Sequence, residues 1–293
     1  MASDSTPAST PALVSVEWLA AHLDHPHVRL ADVRWYLPHL GKSGRAEYDA
    51  GHIPGAVFVD LDTALAGQPA SGPGRHPIPS PESFAAAMTR AGVGPHTHVI
   101  AYDDAGGAIA ARLWWLLRYF GHQSVSVLDG GVTAWHAAGH PLSTQAPAIS
   151  AQSEFVPRPQ PGCVVDKSVV DRLRQDAGAV ILDARAAERY EGKVEPVDAR
   201  PGHVPGARSA PYAGNVSAET QIFLPPHVLM ERYARLGVSP EKKVVAYCGS
   251  GVTACHTLLA LHLAGHEGGL LYEGSWSDWS KDPSLPAATG PGE

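Results

Sequence analysis

Three cysteines in 293 residues, Cys163, Cys248 and Cys255, are too few and too unevenly spaced for a disulfide framework, so a reducing compartment fits the chain. No run of Lys and Arg occurs, and 22 basic against 29 acidic residues leave a formal charge of −7. The diffuse positive field that captures nucleic acid is missing, so neither DNA nor RNA is an expected partner. No apolar stretch approaches the length of a membrane span, and residues 1–15 lack a basic segment followed by an apolar one. Neither membrane insertion nor secretion is expected, and the protein is read as soluble and cytoplasmic. In that setting Asn215-Val216-Ser217 is a loop tripeptide rather than a glycan acceptor. Charged residues are only 17% of the chain while hydrophobic ones reach 44%, which excludes global disorder. What is abundant is glycine (30) and proline (26), so many short elements separated by turns are expected.

The chain repeats itself. Gly51-His52-Ile53-Pro54-Gly55-Ala56 returns as Gly202-His203-Val204-Pro205-Gly206-Ala207, and Asp32-Val33-Arg34 returns as Asp183-Ala184-Arg185, both 151 positions on. Ala101-Tyr102 before Asp103 returns as Ala246-Tyr247 before Cys248, 145 positions on, and Trp135 returns as Trp279. Offsets that keep their order and drift slightly are what loop-length differences produce in a duplicated domain. The division expected is a disordered tail over residues 1–12, one copy over 13–145, a proline-rich linker over 146–162 and a second copy over 163–293. In the second copy, residues 179–182, 243–247 and 269–272 read as buried strands and residues 253–264 as a helix. Alternating strands and helices predict an α/β fold in each copy, a parallel sheet with helices on both faces.

Functional sites on such sheets lie where strands end. Tyr247-Cys248-Gly249-Ser250-Gly251-Val252-Thr253 occupies that place: a strand stops, a glycine-rich turn follows, and a helix begins. Unpaired N–H groups and the positive end of a helix dipole then face the Cys248 sulfur and favour its thiolate. Gly249 and Gly251 let the backbone curl into an anion-binding nest, while Ser250 and Thr253 add hydroxyls for the same anion or for the helix cap. The matching turn, Asp103-Asp104-Ala105-Gly106-Gly107, keeps the glycines and lacks the cysteine. One copy is built around a thiol and the other around scaffolding. Cys163 and Cys255 follow no strand into a glycine turn and are read as structural.

Together, Asp32-x-Arg34, Gly51-His52-Ile53-Pro54-Gly55-Ala56, Leu128-Asp129-Gly130-Gly131 with Trp135, their second copies, and Cys248-Gly249-Ser250-Gly251-Val252-Thr253 resemble the tandem rhodanese family of thiosulfate and 3-mercaptopyruvate sulfurtransferases. The resemblance implies two rhodanese-like domains, the first catalytically silent, and an active site between them. It implies transfer of a sulfane sulfur through a persulfide on Cys248 to cyanide, a thiol or thioredoxin, without metal or organic cofactor. Thiosulfate-preferring members resemble Cys-Arg-Lys-Gly-x-Thr, and mercaptopyruvate-preferring members resemble the loop present here. A loop without cations lacks the charge that would pair with a dianion, whereas a carboxylate and keto group can use hydroxyls, N–H groups and one outlying arginine. Mercaptopyruvate is therefore the expected donor, with thiosulfate the alternative. By the same resemblance Arg189 faces the substrate, Arg200 stands nearest to a second family arginine, and Ser250, His76 and Asp62 form a proton relay. Trp35-Tyr36 is expected as an apolar wall.

Three rivals are weaker. Gly249-Ser250-Gly251-Val252-Thr253-Ala254 fits a dinucleotide fingerprint, but the 45 residues after Cys248 cannot complete a nucleotide-binding half. A cysteine phosphatase needs Cys-x5-Arg, and that position is Ala254. A persulfide carrier without turnover is the non-enzymatic alternative. His22, His25, His27, His262 and His266 show no recognised ligand spacing, so no metal is expected.

Overall fold

Five short runs in each half of the chain, most of them apolar, become strands, paired in parallel throughout. The computed structural model describes residues 10–149 and 154–292. One sheet holds β1 (Leu13–Val14), β2 (Val28–Asp32), β3 (Val57–Phe58), β4 (His98–Tyr102) and β5 (Val125–Leu128) in the order β1-β5-β4-β2-β3. The other holds β6 (Val164–Val165), β7 (Ala179–Asp183), β8 (Arg208–Ser209), β9 (Lys243–Tyr247) and β10 (Leu270–Tyr272) in the order β6-β10-β9-β7-β8. Strand for strand the two orders match, as a duplication requires. The strands expected near residues 179, 243 and 269 are β7, β9 and β10, and the expected helix is Thr253–Leu263.

The repeated motifs are braces rather than chemistry. At the end of β2, Asp32 holds the Arg34 guanidinium (Nη2 to Oδ2, 2.6 Å), and Arg34 donates onward to the Gly51 carbonyl at 2.8 Å. Asp183, Arg185 and Gly202 repeat this at 2.6 and 2.7 Å. A buried ion pair is tolerable only when its donors are used up, and that is why Asp-x-Arg and the glycine before His travel together. The histidines complete each brace: His52 Nδ1 lies 2.9 Å from the Tyr48 carbonyl and His203 Nδ1 lies 2.7 Å from that of Tyr190. Trp135 and Trp279 each donate their indole N–H to a proline carbonyl in the strap that follows.

Helices Ala110–Tyr119 and Thr253–Leu263 pack on each other between the sheets, so Leu113 and Leu116 share one buried apolar cluster with Leu258, Leu259 and Leu261. The outer faces carry separate clusters around Trp135 and around Trp276 with Trp279. Each domain also reaches into the other in the same way. Asp129, after β5, accepts the Phe223 N–H at 2.8 Å, and Glu273, after β10, accepts the Ile78 N–H at 2.8 Å. The expected tail and linker are partly attached. Ala12 is buried and its carbonyl accepts the Val127 N–H, while Phe155 is buried against Phe84. Residues 1–9 of that tail and residues 150–153 lie outside the described residues.

One tie across the interface titrates. His256 is fully buried, stacked on Phe223, with Nε2 3.0 Å from the Gly106 carbonyl and Nδ1 3.3 Å from the Asn215 amide nitrogen. Burial pushes its pKa down from 6.5 to about 4. Below pH 6.5 the unfolded chain takes up a proton that the folded chain refuses, so stability falls as pH drops and the loss levels off below about 4. At pH 5 this residue alone is expected to remove about 2 kcal/mol relative to neutral pH. Thermal melts at pH 7 and pH 5 should show a smaller drop in His256→Gln than in wild type; equal drops would refute this assignment.

Candidate active site

The first domain shows what the turn after the central strand does. Asp103 follows β4, is 1% exposed, and receives four backbone N–H groups: Ala105 and Gly107 on Oδ1 at 2.8 and 2.9 Å, Ile109 and Ala110 on Oδ2 at 2.8 Å each. The glycine turn and helix start thus make a cradle for a negative charge, filled here by the chain's own carboxylate. In the second domain the matching position is Cys248.

Cys248 is 2% exposed, and its sulfur receives the Gly251 N–H at 3.1 Å. Gly251 has φ +84°, and a Cβ there would collide with the Glu273 carbonyl, so only glycine lets this N–H face the sulfur. The Cys248 backbone is held by the turn after β10: its N–H donates to Ser275 Oγ at 3.1 Å and its carbonyl accepts the Trp276 N–H at 2.9 Å. Ser275 is fully buried at φ +52°, a costly conformation for a residue with a side chain. Its counterpart in the first domain is Gly131, at φ +58°. The second domain therefore carries a strained serine where the first has glycine, and its hydroxyl serves the cysteine. Ser275 has no motif; comparison of the copies at Gly131 was the signal that could have found it.

Of the two roles expected for the loop hydroxyls, anion donor or helix cap, the cap is not found. Helix Thr253–Leu263 starts from Val252 with no side-chain cap. Ser250 instead points across the domain interface, where its Oγ lies 2.7 Å from His76 Nδ1. His76 Nε2 faces Asp62 Oδ1 at 3.4 Å, a looser contact, and Asp62 also accepts the Trp35 indole N–H at 2.9 Å. The three residues named for a relay thus stand in sequence, with Trp35 edge-on to His76 rather than a simple apolar wall. Tyr36 is likewise polar in its contact, donating to Asp104 at 2.6 Å. Burial, then the nearby Arg112 guanidinium, pushes His76 down to about 4, so the ring is neutral at pH 7. Arg112 comes from the first domain, is fully buried, and donates to the carbonyls of Gly251 (3.3 Å) and His76 (3.1 Å). It therefore fixes both the cysteine loop and the histidine loop.

Arg189 reaches the site: its guanidinium lies beside Gly249 and is held by Glu195 (2.7 Å) and Asp198 (3.1 Å). Arg200 does not. Its guanidinium is consumed by the carbonyls of Trp279, Ser280, Asp282 and Leu285, a brace under the last strap. In its place stands Arg75, unmarked by any motif except its position next to His76; it pairs with Asp198 across the interface and also lies beside Gly249. The other cysteines are unsuited to nucleophilic work. Burial pushes Cys255 up to about 12, its S–H donating to the Gly251 carbonyl, and burial raises Cys163 as well. Among the described residues no group of three or more His, Cys, Asp or Glu is placed to hold a metal ion, and no helix is long and apolar enough to cross a membrane.

The rhodanese-like domain family matches residues 15–138 and again 166–282. A protein of Pseudomonas aeruginosa named "Probable 3-mercaptopyruvate sulfurtransferase" is 41% identical, covering 96% of this chain and 99% of its own. Human 3-mercaptopyruvate sulfurtransferase is 37% identical, covering 94% of each. The crystal structure of SseA from Escherichia coli, described as a 3-mercaptopyruvate sulfotransferase with the rhodanese fold, superposes with a TM-score of 0.81 at 36% identity, over 92% of this chain and all of that one. Two matching parallel sheets, a cysteine in one cradle and a carboxylate in the other, and relatives of this kind along nearly the whole length lead to one conclusion: the chain belongs to the rhodanese family and is a tandem-domain sulfurtransferase.

Proposed function

We propose that the enzyme takes sulfur from 3-mercaptopyruvate, holds it as a persulfide on Cys248, and passes it to a thiol, thioredoxin or cyanide in the cytoplasm. The observation that carries this reading is the Gly251 N–H directed at a buried Cys248 sulfur, in a loop whose duplicate binds a carboxylate through four N–H groups. The Cys248 thiolate attacks the donor sulfur; the C–S bond breaks, its electron pair passes to carbon, and the enolate of pyruvate leaves. The proton from the donor thiol moves through the Ser250 hydroxyl and neutral His76 to the enolate carbon, giving pyruvate and leaving an anionic persulfide. Asp62 orients the imidazole, so Ser250 donates to Nδ1 and Nε2–H faces the carboxylate. Arg189 binds the donor carboxylate.

Thiosulfate would leave as sulfite, a stable anion that needs no proton on carbon. The relay therefore makes a donor-specific prediction: Ser250→Ala and His76→Gln lower kcat with 3-mercaptopyruvate by about 100-fold, while turnover with thiosulfate changes little. Steady-state thiocyanate formation from both donors tests this. Equal losses with both donors would sink the relay and leave Ser250 and His76 as loop supports.

A further inference from the structure

Four charged side chains surround the mouth of the Cys248 loop. Arg189 comes from the second domain, Arg75 from the first, and both lie partly open, at 21% and 31% side-chain exposure. Glu195 and Asp198 lie behind them at 3% each. Asp198 is shared: Oδ2 takes Arg189 Nη2 at 3.1 Å and Oδ1 takes Arg75 Nη1. Arg189 spends Nε on Glu195 and Nη2 on Glu195 and Asp198, which leaves Nη1; Arg75 spends Nη1 on Asp198, which leaves Nε and Nη2. Arg189 Nη1 and Arg75 Nη2 converge. A Cβ built on Gly249 would stand 3.0 Å from Arg75 Nη2 and 3.5 Å from Arg189 Nη1.

We infer that Arg75 is the second cation that binds the donor's anionic end, over Gly249 beside Cys248, and that Asp198 makes this site select a monoanionic carboxylate over a dianion. The inference rests on the sulfurtransferase reading above and adds the source of its specificity. A carboxylate over Gly249 meets one N–H from each domain, the geometry in which two guanidiniums grip an anion without either losing its own carboxylate. The same approach explains the missing side chain, since any Cβ at Gly249 would fill the space between them. Glu195 also takes Arg185 Nη1 at 3.3 Å, and Arg185 is balanced by its own Asp183, so the guanidiniums and carboxylates of the group leave it formally neutral. A donor of charge −1 is then accepted on hydrogen bonds, while one of charge −2 finds no net charge to offset its larger desolvation. Removing the Asp198 charge adds one positive charge to the site, and Coulomb attraction to a dianion rises twice as much as to a monoanion.

The Arg75 loop is held in place independently of its guanidinium. The Arg75 N–H donates to Ser277 Oγ at 3.1 Å, and the Ile78 N–H donates to Glu273 at 2.8 Å. Changing the Arg75 side chain therefore leaves those loop ties intact.

Two assays on the full-length enzyme test the assignment. One is sulfur transfer from 3-mercaptopyruvate and from thiosulfate. The other is protection of Cys248 from iodoacetamide by pyruvate and by sulfate, which requires no turnover. Arg75→Gln is expected to raise KM for both donors about tenfold, keep kcat within about twofold, and weaken pyruvate protection in parallel. Arg200→Gln should leave KM unchanged. Asp198→Asn is expected to raise the thiosulfate to mercaptopyruvate ratio of kcat/KM about tenfold, with sulfate gaining on pyruvate as a protectant. Normal KM and protection in Arg75→Gln would overturn the cation assignment; an unchanged ratio in Asp198→Asn would overturn the selectivity. Should Asp198→Asn fail to fold, Gly249→Ala decides the anion position, because its backbone lies outside the left-handed region and its methyl occupies the gap: loss of pyruvate protection supports the site and full protection refutes it. If the sulfurtransferase reading itself fails, wild type shows no turnover while pyruvate still protects Cys248, a pattern distinct from either result.

Discussion

Cys248→Ser is expected to abolish sulfur transfer from both donors, a fall of about 10⁴-fold or more, because the nucleophile and the carrier of the sulfur are the same atom. A serine hydroxyl in that cradle meets the same Gly251 N–H but is a weak nucleophile at neutral pH and cannot carry sulfur as a persulfide. The fold should be indifferent to the change, since one buried atom is replaced by a smaller one that still accepts the N–H. Cys163→Ser and Cys255→Ser serve as comparisons. Neither sulfur faces the loop donors, and both thiols are held protonated by burial, so both variants are expected to retain transfer within a few-fold. Thiocyanate formation measured over the three variants separates these outcomes, and persistent turnover in Cys248→Ser would move the nucleophile elsewhere.

The second large effect is expected in the first domain, at the turn that matches the Cys248 loop. Asp103→Ala removes the acceptor of four N–H groups at once, three of them buried and one half-buried, and each unpaired donor costs about 1 kcal/mol or more. The sum is on the order of 4 kcal/mol, or roughly 10 °C in Tm. Asp103→Asn keeps one acceptor oxygen and is expected to cost about half as much. Because the same turn abuts Gln221 and the His256 tie, the loss should appear in the common melting transition of both domains. Calorimetry reads it directly. A cost below about 1 kcal/mol for Asp103→Ala would mean that the cradle does not need an anion, and would weaken the case for a persulfide anion in its twin.

How much of this was legible in the sequence depends on the distance over which the information is stored. Duplication is local patterning repeated, so Asp-x-Arg, Gly-His and the two tryptophans announced two matching sheets, and the turn after β9 announced Cys248. Spacing could not say that the motifs are braces: Arg34 finds Gly51 and Arg185 finds Gly202 only after the chain folds back. The residues proposed as a relay were named through resemblance, and the fold brings Ser250 and His76 into contact. The arginines were half legible. Arg189 lies on a short helix close in sequence to its carboxylates, whereas Arg75 meets Asp198 across 123 positions and the domain interface, a pairing no periodicity encodes. Arg200 looked like the second cation because of its place before Gly-His, yet four backbone carbonyls needed a donor and took it. Thr253 looked like a cap because hydroxyls favour helix starts, but Val252 occupies that position and the loop is held from β10 instead.

The central claim is that sulfur resides on Cys248 between two half-reactions. The most direct measurement is the intact mass of the protein, with peptide mapping, after one equivalent of 3-mercaptopyruvate is added without an acceptor. The account predicts a gain of one sulfur atom per chain, located on the peptide bearing Cys248, released when cyanide is added and absent in Cys248→Ser. Pyruvate formed with no sulfur retained on the protein, or sulfur found on Cys163 or Cys255, would contradict it.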